Sequence, residues 1–364
     1  MIISFIHAPM RWARVLALGV SCSLVNAAAV AAQDSTTLRT LPPFENHGFI
    51  QVYYRTGDPL TKDGYRLRKV DFKFNGILTP KLRWRVTFDA AKVISLNTAT
   101  GDVADTAVVT NVSVDQKSRI LQDAALTYLA NRYLSVDIGQ QIVPLGLEAT
   151  TSASYLETIE RANFEAERSR AVGLGDVRDI GVSANVALPA GFEGHVGMFN
   201  EMGDDQGSTD ANDQKALLAR LVYHVPLLPG FQFGGTGGFE GGPVAQMKQR
   251  AATEVQYRNS LVTLRAETMA ARDGLLRRFG WYSLGALRPT KDVQLVARYD
   301  SWDRDRTAET TLSNAFERQI TVGASYLVES GLAKISLNVV RQTFPNITTV
   351  PDGTFALLAF QALW

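Results

Sequence analysis

The side chains able to do chemistry are few, and none is spaced for a common reaction. The four histidines, His7, His47, His195 and His224, show no metal-ligand spacing, and the one cysteine, Cys22, can form neither an intramolecular disulfide nor a thiolate metal site. No Gly-x-Ser-x-Gly elbow and no His-x-Ser pair occurs. The run Gly234-Gly235-Thr236-Gly237-Gly238 lacks the Gly-Lys-Ser/Thr that completes a phosphate loop, and reads as a strand whose small residues permit close packing or bending. The expectation is no catalytic residue, no metal and no cofactor.

Charge is abundant, in two arrangements. One is dense and local: Glu148, Glu157, Glu160, Arg161, Glu165, Glu167, Arg168, Arg170, Asp176, Arg178 and Asp179. Ser154 followed by Glu157 is a capping box, so helix is expected from Tyr155 to about Arg168, with Glu157 and Arg161 paired across one turn. Such a segment is either a solvated surface helix or a loop folded inward to present its charges. The other arrangement is alternation. Lys73, Arg83, Arg85, Arg220, Arg265 and Arg298 each stand between apolar or small neighbours on a period of two, and Lys69, after Arg68, shares the parity of Lys73. They form either an inward basic track or ordinary pairs with nearby acids such as Asp71, Asp89, Glu267 and Asp300.

The elements that must position these charges are strands. Leu82, Trp84, Val86 and Phe88 alternate with Arg83, Arg85, Thr87 and Asp89; Ile335, Leu337 and Val339 alternate with Ser336 and Asn338. The same pattern runs from Gly48 to Trp364. Short turns such as Thr79-Pro80-Lys81 and Pro289-Thr290-Lys291 alternate with long polar stretches, 57–64, 95–117, 201–213, 241–250, 303–317 and 345–353. A sandwich gives no reason for that strict alternation, whereas a membrane barrel with short turns at one rim and long loops at the other does. Sixteen strands are expected, near 49–56, 66–78, 82–93, 119–130, 133–142, 179–188, 192–200, 214–225, 231–240, 251–258, 261–271, 277–288, 293–302, 317–328, 332–343 and 354–364. Tyr53, Trp84, Tyr128, Tyr133, Trp281 and Tyr326 fit aromatic girdles at the membrane interfaces.

Composition agrees. The 364 residues carry 37 Lys+Arg against 36 Asp+Glu, a balance that excludes the basic footprint of a nucleic-acid partner. Arg11 and Arg14, an apolar run to about Val25 and Ala27 to Ala32 read as a secretory signal peptide over 1–32. Its removal takes two arginines, no acid and the only cysteine, changing the net charge from +1 to −1. An exported chain without cysteines suits a bacterial envelope. Residues 33–47 read as a short periplasmic lead-in and 48–364 as the barrel, with the charged segment at about 143–178. No stretch of eighteen apolar residues follows, so a membrane crossing must be made by a closed sheet. The terminal strand, with Phe360, Ala362 and Trp364 on one face, resembles the tag read by the outer-membrane assembly machinery.

Leu121-Gln122-Asp123-Ala124, Gly139-Gln140, Pro144-Leu145-Gly146-Leu147-Glu148, Glu160-Arg161, Arg178-Asp179-Ile180-Gly181, Tyr65-Arg66-Leu67-Arg68-Lys69, Met198-Phe199-Asn200 and Arg298-Tyr299-Asp300 follow one another in an order that resembles the phosphate-selective porin O and P family. The resemblance implies an all-β transmembrane antiparallel barrel of about sixteen strands in the bacterial outer membrane. It also implies a homotrimer whose long third extracellular loop folds inward, with lumenal arginines and lysines guiding phosphate. The constriction residues would then be Glu148, Glu157, Glu160, Arg161, Arg168, Arg170 and Arg178. The expected partners are outer-membrane lipid and lipopolysaccharide, small anionic solutes and the assembly machinery. Where the family commonly has a lysine two residues after Gly139-Gln140, this chain has Ile142, and its charged segment holds more acids than bases. A general or cation-tolerant porin, and a plugged structural or adhesive barrel, are the competing readings.

Overall fold

In the computed structural model the described residues are 44–94, 96–103, 106–114, 120–165, 174–202, 213–306, 316–348 and 350–364. The expected signal peptide, most of the lead-in, Arg168 and Arg170 lie outside them. Alternating sequence forms strands throughout: β1 (Phe44–Thr56), β2 (Gly64–Thr79), β3 (Leu82–Asp89), β4 (Leu96–Val103), β5 (Thr106–Val114), β6 (Leu121–Leu129), β7 (Leu134–Ile142), β8 (Arg178–Ala187) and β9 (Phe192–Phe199). They continue as β10 (Ala216–His224), β11 (Phe231–Glu240), β12 (Lys248–Arg258), β13 (Val262–Asp273), β14 (Leu276–Leu287), β15 (Val293–Asp303), β16 (Phe316–Val328), β17 (Ala333–Thr343) and β18 (Gly353–Leu363). Sixteen of them close one antiparallel barrel, each beside its sequence neighbour, while β4 and β5 pair only with each other as a hairpin between β3 and β6. No described helix is long and apolar enough to cross a membrane.

Closure occurs between the first and last strands. Gly48 and Trp364 exchange both backbone hydrogen bonds at 3.1 Å. A Cβ at Gly48 would lie 2.4 Å from the Trp364 ring and 2.2 Å from the Asp71 carbonyl, so only glycine lets the C-terminal indole lie over the seam. That ring packs edge-on against Phe72 of β2.

Parity sorts the side chains. On β17, Ile335, Leu337 and Val339 are 41%, 47% and 39% exposed, whereas Ser336 and Asn338 between them are 3% and 1% exposed. The apolar face therefore points outward, as a lipid-facing wall requires.

Five details differ from expectation. β1 begins at Phe44 rather than 49, because Glu45, Asn46 and His47 continue the pairing opposite Asn75, Phe74 and Lys73. β3 ends at Asp89 rather than 93, since the Asp89 carboxylate accepts the Val70 and Ala91 N–H groups at 3.1 and 3.2 Å and turns the chain into a 3-10 turn, Ala90–Ile94. The expected long loop after it contains the β4–β5 hairpin. Tyr53 is no girdle residue: it is buried with Ile159, Val340, Phe355 and Leu357. The inner wall is also less polar than alternation suggests, for Leu218, Met269, Tyr282, Leu284, Val296 and Trp302 all join one buried cluster.

The register is testable on β3. Val86→Arg places a cation on the lipid face and is expected to cost roughly 2–4 kcal/mol of folding free energy in a reversible detergent or vesicle titration. Arg85→Ala, one residue along and on the other face, should cost less, about 1 kcal/mol, since Arg85 is itself partly exposed and the buried Asp137 keeps its hydrogen bonds from Thr127 and Asn185. The reverse order of costs would move the register by one.

Candidate functional site

The segment between β7 and β8 is where inward side chains converge. Among its described residues it carries one turn of α-helix, Leu147–Thr150, and two 3-10 turns, Ala153–Tyr155 and Asn163–Glu165. The backbone groups of this segment are satisfied by the barrel wall. Glu267 of β13 accepts the Leu147 and Glu148 N–H groups at 2.5 and 2.9 Å, together with the Tyr282 hydroxyl of β14. Gln361 of β18 donates to the Ser154 carbonyl at 3.0 Å and Lys334 of β17 to the Leu156 carbonyl at 2.9 Å. Asn338 of β17 accepts from the Ile159 N–H at 2.8 Å. Arg298 of β15 donates to the Thr158 hydroxyl and to the carbonyls of Glu160 and Arg161 at 2.7, 2.8 and 3.0 Å.

These bonds replace the expected helix. A buried chain must pair each polar backbone group with something, and here the wall supplies partners that an α-helix would have supplied internally. The expected Glu157–Arg161 pair is likewise absent. Glu157 meets Arg258 of β12 and, at 3.3 Å, Arg265 of β13, while Arg161 donates to the Glu148 and Thr151 carbonyls and lies 3.6 Å from Asp176. Ser154 lies inside the 3-10 turn, whose N-cap is Ser152 and makes no side-chain capping bond.

Apolar contact fixes the far end. Phe164 packs against Tyr282 and Trp302 with ring centroids 6.0 and 6.2 Å apart. A Cβ at Gly280 would lie 2.5 Å from that phenyl ring, so the glycine on β14 is the recess that receives it.

The remaining expected site residues fall into two groups. Lys69 (3.7 Å), Arg161 and Arg178 surround Asp176, Arg178 also lies 3.5 Å from Asp123, and Glu160 pairs with Arg68 of β2. Glu148 lies 3.6 Å from Arg298 and accepts the Ala162 N–H at 2.8 Å. The other group does not touch the segment, apart from one residue. Arg85 pairs with Asp137 at 3.3 Å, Arg220 pairs with Glu254 at 2.6 Å, and Arg83 is half-buried on β3. Lys73 is the exception, donating to the Ser152 hydroxyl at 3.3 Å and lying 6.0 Å from the Phe49 ring centre.

Sequence reasoning missed Glu267, Lys334 and Asn338 as anchors, although their parity on β13 and β17 marks them as inward. Arg68 was hidden by a bulge between Gln51 and Val52 that shifts parity on β2. The apolar recess carried no sequence signal, because its residues come from separate strands.

The lumen is consequently two-sided. On β12–β18 the inward residues Glu254, Gln294, Ser325, Ser336 and Asn338 are all buried. On β2, β3 and β6–β10, Lys73, Arg83, Arg85, Thr127, Asn185, Glu193, His195 and Arg220 keep part of their surface. The segment takes most of its hydrogen bonds from the first wall, meets the second at β2 through Arg68, Lys69 and Lys73, and leaves the rest of the second wall partly open.

Residues 44–268 match the family model for phosphate-selective porin O and P. The chain belongs to that family. A search of curated proteins gave no match. Among solved structures, the porin is similar to the outer membrane channel DcaP of Acinetobacter baumannii, at 14% identity and a TM-score of 0.58 over 88% of this chain and 97% of that one. It is also similar to the anion-selective porin from Comamonas acidovorans, at 10% identity and a TM-score of 0.55 over 88% and 99%. The trimer form of OmpT of Vibrio cholerae matches at 10% identity and a TM-score of 0.57 over 88% and 99%. Likeness at these identities is likeness of fold. The porin is a channel of the bacterial outer membrane; in such barrels the rim of long loops is the extracellular one and the rim of short turns the periplasmic one.

Two acids on the third loop respond to pH in opposite senses. Burial, the largest effect on Asp176, would raise its pKa, but Lys69, Arg178 and Arg161 together hold its carboxyl well below the usual range. Glu165 is fully buried, neither of its oxygens meets a donor among the described residues, and burial followed by Glu267 and Glu148 pushes it well above the usual range. The Asp176 contribution to stability is present above the ordinary aspartate range and is lost only in strong acid. The Glu165 contribution is full below the ordinary glutamate range and is lost as pH rises through its folded-state pKa. The melting temperature of the folded porin should therefore fall by a few degrees between pH 5 and pH 9, and Glu165→Gln should flatten that slope. A Glu165→Gln slope equal to that of the wild type would contradict this.

Proposed function

We propose that the porin conducts small hydrophilic solutes with a mild preference for anions, phosphate among them and weakly held. Lys73 carries this reading. It stands where the loop meets the open wall, its bonded partner is the Ser152 hydroxyl, and no described carboxylate lies within 4.0 Å of it. Asp71, two residues along the same face, interacts with it electrostatically, but a half-buried cation with no carboxylate in direct contact still attracts anions over roughly a Debye length, about 10 Å at 0.1 M salt. Arg83 and Arg85 stand further down the same wall. Phosphate would gain paired hydrogen bonds from guanidinium groups, but Arg85 and Arg220 are already engaged by carboxylates. Those pairs, with Glu193 on the same wall, favour a second reading, a general or cation-tolerant porin.

The proposal extends to assembly. Residues 1–32 would direct export and be removed, and the mature chain would associate as a homotrimer, the arrangement described for OmpT of Vibrio cholerae. Residues 143–178 would act as the constriction.

The test is the reversal potential of the reconstituted porin across a potassium chloride gradient, with phosphate titrated against chloride conductance. The expected result is a mild anion preference, strongest at low salt, that Lys73→Glu converts to cation preference. Clear cation preference in the wild type would establish the second reading. Tight phosphate block would mean the engaged arginines release their carboxylates to the ion.

A further inference from the structure

The outer surface carries a feature that conduction does not use. On the extracellular rim of the lipid-facing wall, Arg272 of β13 and Arg277 of β14 are directly opposite cross-strand partners. Both lie on the outward parity, with Ala266, Thr268 and Ala270 on β13 and Phe279 and Trp281 on β14. Arg272 donates to the Gly274 carbonyl at 2.8 Å, Arg277 is exposed, and among the described residues neither forms an ion pair. Like charges directly opposite on a sheet repel, so this pair lowers stability unless an anion lies between them. Arg306, 5.9 Å from the Phe279 ring centre, adds a third guanidinium, paired among the described residues with Asp303 at 3.6 Å. Arg318 on β16 extends the basic rim, stacked on Phe316 at 4.9 Å.

A second, independent observation lies below that pair. The outer wall has a depression of about 220 Å³ lined by Thr253, Val255, Ala266, Thr268, Trp281 and Ser283. Thr268 is four residues from Arg272 along β13, and Trp281 is four from Arg277 along β14, so the depression lies roughly 13 Å along the strands from the arginines and, with strands tilted by about 40°, about 10 Å deeper, within the hydrocarbon zone. Small side chains form its floor and an indole its rim.

We propose that β12–β14 form a binding site for a phosphorylated, multiply acylated lipid of the outer leaflet. Arg272 and Arg277 clamp a headgroup phosphate, and one acyl chain fills the depression beneath. Guanidinium groups suit phosphate because their paired donors match its oxygens. The depth separating clamp and depression matches the step from headgroup to acyl chain, which a free phosphate ion or a soluble anion would leave unused. The site rests on the outer-membrane location of the family and is independent of which ions pass through the lumen.

The test is native mass spectrometry of the folded, full barrel released from detergent, with bisphosphorylated hexa-acyl lipid A, monophosphoryl lipid A and phosphatidylethanolamine as probes. Bisphosphorylated lipid A is expected to bind tightest. Arg272→Gln with Arg277→Gln should weaken it roughly tenfold or more, and leave phosphatidylethanolamine unchanged. Ser283→Trp, which fills the depression, should weaken lipid A with both arginines in place. Channel conductance should be the same in all variants, showing that the barrel is intact. Arg277→Gln alone, at an exposed position, carries the test if the double variant fails to fold. Lipid A binding within twofold of wild type in the arginine variant, or an equal loss for phosphatidylethanolamine, would overturn the site.

Discussion

Every backbone N–H and C=O within hydrocarbon must find a partner in the protein, and the architecture follows from that constraint. Strands can meet it only by closing on themselves, so the first and last strands must pair. They do so at Gly48 and Trp364, where the missing Cβ of one residue makes room for the indole of the other. Closure then fixes parity, and parity decides which residues meet lipid and which meet the lumen.

The same constraint acts again inside. A loop that enters the barrel leaves bulk water and carries its polar backbone with it. The wall of β12–β18 answers with Glu267, Arg298, Lys334, Asn338 and Gln361, each bonded to a backbone group of the loop. Charge therefore serves two purposes in this lumen. On one wall it is consumed in holding the loop, and such buried pairs hold a conformation more than they add stability, because desolvation offsets their attraction. On the other wall it faces the solvent path. The seven alternating basic residues are divided between these roles. Arg265 and Arg298 seat the loop, Lys69 helps to fix its return at Asp176, and Lys73, Arg83, Arg85 and Arg220 stand on the open side.

The barrel was legible because period two is a strong signal and turn residues interrupt it at regular intervals. Where legibility failed, a local rule was overruled by a partner distant in sequence. Ser154 and Glu157 have the spacing of a helix start, yet Arg258 and Arg265 lie about a hundred residues away and take the glutamate. The bulge at Gln51 and Val52 shifts parity on β2 without any marker in composition. Phe164 reads as an ordinary loop aromatic until Gly280, Tyr282 and Trp302 are brought around it. Charge pairing between strands is invisible in one sequence, which is why a basic track and its neutralising acids could not be told apart there.

The asymmetry of the lumen is the central claim, and one measurement addresses it directly. Cys22 is the only cysteine and leaves with residues 1–32 on the proposed cleavage, so single cysteines can be placed on either wall without a competing thiol. Asn185→Cys stands on the half-open wall and Ser336→Cys beneath the loop. A small sulfonated methanethiosulfonate added during single-channel recording should reduce the conductance of Asn185→Cys and leave that of Ser336→Cys unchanged. Equal modification of the two, or faster modification at Ser336→Cys, would mean that the loop does not lie on the β12–β18 wall in the conducting porin.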